Sequence, residues 1–162
     1  MGFERTHLTI TYLLVATGFL VLFLSGEFSP LYWMIFTPMI GLSMKFGGRD
    51  RWTSAVLWNT VLIASLGGLM AVAFTTGDWL RYAVYFASLM VVAKLFQRRD
   101  SGDYFQLYVL SFLQLVAGAV INPTLSFALC FLMYVVLLTW ALVLLHLRRD
   151  VERLAGPSER ER

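Results

Sequence analysis

Two uninterrupted apolar runs, residues 104–121 and 124–147, stand back to back across the dipeptide Asn122-Pro123. The first is 18 residues long, the second 24, and neither contains Asp, Glu, Lys or Arg. A bilayer's hydrocarbon core is about 30 Å thick and takes roughly 20 apolar helical residues to cross. Each run can therefore span a membrane as a helix, and so short a turn makes the two antiparallel neighbours. Asn can cap the second helix, and Pro suits its first position, where the backbone N–H needs no partner. Charged exits flank the pair: Lys94, Arg98, Arg99, Asp100 and Asp103 before it, Arg148, Arg149 and Asp150 after it. A hairpin places both exits on one side of the bilayer.

The rest of the chain repeats this pattern. Of its 162 residues 59% are hydrophobic and 14% charged, against about 45–50% and 25% in soluble domains. A soluble core does not account for several charge-free runs of spanning length. The fold class is all-α: a polytopic transmembrane bundle of about six spans in three hairpins. The spans fall at 8–25, 30–45, 53–75, 79–95, 104–122 and 124–147. Residues 148–162 form a charged cytoplasmic tail or the start of a linker. The second span is short and carries Pro38, which predicts a kink or a tilt. The first resembles a signal peptide after Arg5, but no small-x-small cleavage site follows. Arg49-Asp50, Arg99-Asp100 and Arg149-Asp150 recur at about fifty residues. The spans between them match poorly, so they read as independent anchors.

Orientation follows from basic residues, which stay on the cytoplasmic side. Twelve of the thirteen fall on one side of the six-span scheme. Both termini are therefore expected in the cytoplasm. The exception, Arg81, lies three residues after Asp78, where a helical ion pair can form. Trp33, Trp52, Tyr82 and Tyr104 fall near the interfaces, as aromatic belts do. The basic clusters are topology anchors, and no basic face or aromatic-basic module points to nucleic acid.

Candidate chemistry is sparse. Cys130 lies mid-span with no acid or base nearby and reads as an inert packing residue. His7 and His146 fall at cytoplasmic span ends with no Cys, Asp or Glu at ligand spacing, so no metal or cofactor is expected. No phosphate loop, zinc-protease motif or dinucleotide fingerprint is present. The informative polar groups are Asn59, Ser111 and Gln114. Ser111, Gln114 and Gly118 share one helical face. They read first as interhelical hydrogen bonds and second as the lining of a substrate path. Gln114 is too deep to reach water, so it must face the bundle, with Asn59 its best partner. Two overlapping small-residue pairs, Ala64/Gly68 and Gly67/Ala71, allow close helix contact.

The exit from Lys94 to Asp100, then Asp103-Tyr104-Phe105 opening a long span, Ser111-Phe112 and the tight hairpin resemble a known module. The chain resembles the N-terminal membrane domain of the TgpA-type bacterial transglutaminase-like proteins. That resemblance implies an inner-membrane module which is not itself an enzyme. Family members carry a further span and an extracytoplasmic papain-like domain with catalytic Cys, His and Asp. No position here matches those residues, and none is carried over. The chain is then either a fragment of such a protein or a stand-alone module. Its expected role is to anchor and position a transglutaminase-like domain or a partner at the cell envelope. The implied partners are the lipid bilayer, the transglutaminase-like domain and a MoxR-like ATPase or other envelope protein. The alternative is a small transporter or lipid-binding protein using the polar face around Asn59 and Gln114.

Overall fold

The computed structural model describes residues 2–47, 55–98, 101–121 and 125–154. Six helices follow in order: α1 (Gly2–Ser25), α2 (Pro30–Phe46), α3 (Ala55–Thr76), α4 (Trp79–Gln97), α5 (Ser101–Ile121) and α6 (Leu125–Leu154). No strand occurs among the described residues. The Asn122-Pro123 turn, Arg49 to Trp52, Arg99-Asp100 and residues 155–162 lie outside them. All helices but α2 are long and apolar enough to cross a membrane. The 17 residues of α2 reach about 26 Å at about 1.5 Å per residue, and Pro38 lies inside it.

Three helix ends differ from expectation. α1 begins at Gly2 rather than residue 8, α5 at Ser101 rather than 104, and α6 continues past 147 to Leu154. Hydrophobicity marks where a span meets the interface, not where its backbone hydrogen bonds stop. Arg, Glu and Leu are all good helix formers, so the last helix runs on through its charged exit.

Two connections rest on glycine. Gly77 adopts φ 77 and donates its N–H to Ala73 O at 2.9 Å, the left-handed cap that closes α3. Gly26, at φ 70, donates to Phe23 O at 3.2 Å just past α1.

Pairwise contacts fix the helix directions. His7, Gly18 and Val21 of α1 meet Tyr108, Gln114 and Gly118 of α5 in rising order, so these helices are parallel. Tyr32 meets Ser88 and Ser43 meets Arg98, so α2 and α4 are parallel. Tyr12 meets Ser43 and Phe23 meets Trp33, so α1 and α2 are antiparallel. α3 stacks Trp58 on Phe96 at 5.2 Å and sets Phe74 edge-on to Trp79 at 4.5 Å, antiparallel to α4. Odd and even helices thus run in opposite directions. Glu27, Asp78 and Arg81 gather at one end, and Lys45, Lys94 and Arg98 at the other, called here the basic end.

The closest packing is α5 on α1, not α5 on its hairpin partner α6. Inside a bilayer no hydrophobic term pulls helices together; close packing and interhelical hydrogen bonds do. Glycines supply the close approach. A Cβ on Gly118 would strike Val21 of α1, and one on Gly18 would lie 3.2 Å from Ser111 O of α5. α1 is the central helix, 56% of its span buried, whereas α3 packs on α4 at the rim with 11% buried. Charge-free all round, α3 suits a lipid-facing position.

Candidate functional site

The polar groups of the interior form three tie points between helices. The deepest joins α2, α4 and α5. Ser88 Oγ donates its one hydrogen to Val84 O at 2.8 Å. It therefore accepts from Tyr32 Oη at 2.6 Å and from Gln114 Nε2 at 3.0 Å. Gln114 and Ser88 are fully buried. Gln114 Oε1 has no hydrogen-bond partner. It faces Gly18 of α1, where a Cβ would stand 3.1 Å from it.

The second tie lies at the basic end. Arg98 is 8% exposed and donates from Nη1 to Tyr12 Oη at 2.6 Å and from Nη2 to Ser43 O at 3.4 Å. Its guanidinium lies 5.1 Å from the Tyr12 ring centre, a favourable cation–π position. Tyr12 Oη also meets Ser43 Oγ at 2.9 Å. One guanidinium thus joins α1, α2 and α4 and reaches the Ser43 carbonyl in the last turn of α2, where a cation also offsets the helix dipole.

The third tie joins α1 to α5 and α6. Tyr108 Oη lies 3.1 Å from His7 Nε2 and 3.2 Å from Thr11 Oγ1. Tyr134 Oη of α6 donates to Tyr108 O at 2.8 Å. Lys94 and Asp103 pair at 3.3 Å beside it.

These positions revise several expectations. Ser111 and Gln114 lie together on the buried α1-facing side of α5, and Ser111 Oγ donates to Leu107 O at 2.8 Å. Asn59 is not with them. Its side chain is exposed on α3, and the Gln114 partner is Ser88. The physical reason is that α3 packs chiefly along α4, which leaves most of its circumference uncovered. A cavity of about 460 Å³ between α3, α4 and α5 is lined by apolar side chains such as Leu69, Met90 and Leu113. Asn59, Ser111 and Gln114 do not line it. His7, expected at an interface, is buried against Tyr104 at 4.6 Å, whereas His146 is exposed. Cys130 packs in the core, as its reading as a packing residue expects. Among the described residues no group of three or more His, Cys, Asp or Glu could hold a metal.

Sequence reasoning missed Ser88, Tyr32, Tyr12 and Arg98. The available signal was the rule that a mid-span amide needs a partner. It names the need without naming which of several hydroxyls meets it.

Residues 10–162 match the family described as the TgpA N-terminal domain. No curated protein and no solved structure matches the chain.

Proposed function

Since the chain belongs to the TgpA N-terminal domain family, we propose that it is the non-catalytic membrane module of a transglutaminase-like envelope protein. In this reading it anchors an extracytoplasmic papain-like domain in the bacterial inner membrane and sets its position. The observation that carries the reading is the extent of the match, which takes in almost the whole bundle. The closed interior supports it. Gly18 and Gly118 bring α1 and α5 into contact, and three polar ties cross-link five of the six helices. A rigid bundle suits positioning. A transport path would need its polar groups to converge on a wet cavity, and Asn59 and Gln114 stand apart.

Both termini lie in the cytoplasm in this proposal, because the basic end carries Lys45, Lys94 and Arg98 and basic ends stay inside. The opposite end, with Glu27, Asp78 and Arg81, then faces the attached domain. The basic end is where a cytoplasmic partner such as a MoxR-like ATPase would dock.

Crosslinking in the full protein tests the reading. A photo-activated phenylalanine analogue replacing exposed Thr76 should capture the transglutaminase-like domain; the same analogue replacing Lys45 should not. Capture from the Lys45 site alone would invert the arrangement, and capture from neither would remove the positioning role.

A further inference from the structure

We infer that α3 is a hinged flank of the bundle. Its basic end swings away from α4 into the bilayer, while its other end stays pinned at the Gly77 turn. The three polar ties join α1, α2, α4, α5 and α6 and leave α3 out. The hydroxyls of α3 turn back on its own backbone: Thr60 donates to Val56 O, Ser65 to Leu62 O, and Thr75 and Thr76 to Val72 O. Asn59 is exposed. Close glycine contacts do not hold α3 either. A Cβ on Gly67 or Gly68 would meet nothing within 4 Å, whereas Gly18 and Gly118 seat α1 against α5.

What holds α3 lies near its ends. Its buried side chains are Trp58 and Ala73, about 22 Å apart at about 1.5 Å per residue. Trp58 stacks on Phe96 at the basic end, and Phe74 meets Trp79 beside the turn. Between these points apolar clefts flank the helix. One of about 590 Å³ lies between α3 and α2, and one of about 460 Å³ between α3 and α5. In water, lifting an apolar helix off its neighbour would expose buried area. In a bilayer lipid tails replace the neighbour, and only packing and polar bonds resist. α3 is poorest in both. Only 11% of its span is buried. The next lowest, α6 at 22%, is tied by Tyr134. A region with few buried contacts opens at a lower free energy than the whole. The two ends differ in freedom. Through Gly77 and Asp78, with Gly77 as the cap, α3 runs straight into α4, so the turn end cannot depart. The basic end is latched by the ring stack of Trp58 on Phe96. Its release opens Phe86 and Met90 of α4, which line the smaller cleft, to lipid. The motion does not depend on the anchoring role.

Distances between paired spin labels in bilayer nanodiscs test the motion, with labels placed on introduced cysteines in a Cys130→Ala background. One pair, Val56→Cys of α3 with Phe105→Cys of α5, reads the basic end. The other, Val72→Cys with Val120→Cys, reads the turn end. All four positions are exposed. The basic-end pair should show a second, longer distance, and the turn-end pair a single one. Trp58→Ala should raise the ratio of long to short distances roughly fivefold, the scale of one aromatic pair. Leu132→Ala, at an exposed position of α6, should leave that ratio unchanged. A single narrow distance at the basic end, with and without Trp58→Ala, overturns the inference. Equal broadening of both pairs means that α3 leaves whole or that the bundle loosens, and overturns the hinge. A ratio unmoved by Trp58→Ala, or moved as much by Leu132→Ala, overturns the ring stack as the latch. If Trp58→Ala accumulates poorly, the two distance distributions without it decide.

Discussion

Gln114 has a hydrogen-bonded amide nitrogen and a buried oxygen with no hydrogen-bond partner. The bond to Ser88 is worth about 0.6 kcal/mol by the average for membrane proteins. Losing it is offset by removing an unsatisfied buried oxygen. Gln114→Leu should therefore shift unfolding in mixed micelles by less than about 1 kcal/mol. Gly18→Ala should behave differently. The added methyl meets Gln114 Oε1 at 3.1 Å and Ser111 O at 3.2 Å. The first neighbour can rotate away, but the second is backbone. Overpacking costs about 1–3 kcal/mol, and the gain in helix propensity returns only about 1. A net loss is expected, and it should persist in the Gly18→Ala, Gln114→Leu double variant, because Ser111 O remains. Full rescue by Gln114→Leu would mean that the side chain, not the backbone, sets the spacing of α1 and α5.

Among the elements, α2 is the one the bundle must hold from outside. At 17 residues with Pro38 inside it is the shortest helix, and its ties sit near its two ends, Tyr32 to Ser88 and Ser43 to Tyr12 and Arg98. Arg98→Ala should cost about 2 kcal/mol, the scale of hydrogen bonds to a charged group. Arg98→Lys should recover less than half, since an ammonium lacks the fork that reaches two partners at once. Hydrogen exchange checks the mechanism: amides from Ile40 to Phe46 should exchange faster in Arg98→Ala, while α3 is unchanged. Equal acceleration in both helices would mean general loosening rather than loss of a cap. The number and order of helices were legible in the sequence because charge-free runs of spanning length have few other uses. The inward side of α5 was legible too, since an amide at Gln114 cannot face hydrocarbon. The α1–α5 contact was not, because Gly18 and Gly118 look like any span glycine until a particular neighbour is placed against them. Nor was the isolation of Asn59. Its depth follows from its position in the span, but its facing depends on how little of α3 is covered.

For the whole molecule, the shortness of α2 raises the question of whether five or six segments cross. α2 begins beside Phe28 and Tyr85 at one end of the bundle and reaches Tyr12 and Arg98 at the other. It thus runs beside α4 from the level of Ser88 to that of Arg98. A dipping segment would return to the side it left and invert everything after Lys45. Charge argues against that inversion: it would strand Lys94, Arg98, Arg99 and the basic tail outside, with only Arg81 inside among the later basic residues. Arg81 itself is held by Glu27 and Asp78, so its placement opposite the other twelve is compensated locally. Reporter fusions distinguish the two arrangements. With six crossings, fusions after Arg51, Arg99 and Arg162 report cytoplasm, and fusions after Ser29 and Gly77 report the outside. With five, the Ser29 and Arg51 signals agree with each other, and Gly77 and Arg99 exchange sides. Arg81→Gln should leave the six-crossing pattern unchanged, because orientation rests on the opposite end. An external signal after Arg99 in the unmutated chain would sink the six-crossing arrangement, and with it the placement of Glu27, Asp78 and Arg81 on the extracytoplasmic face.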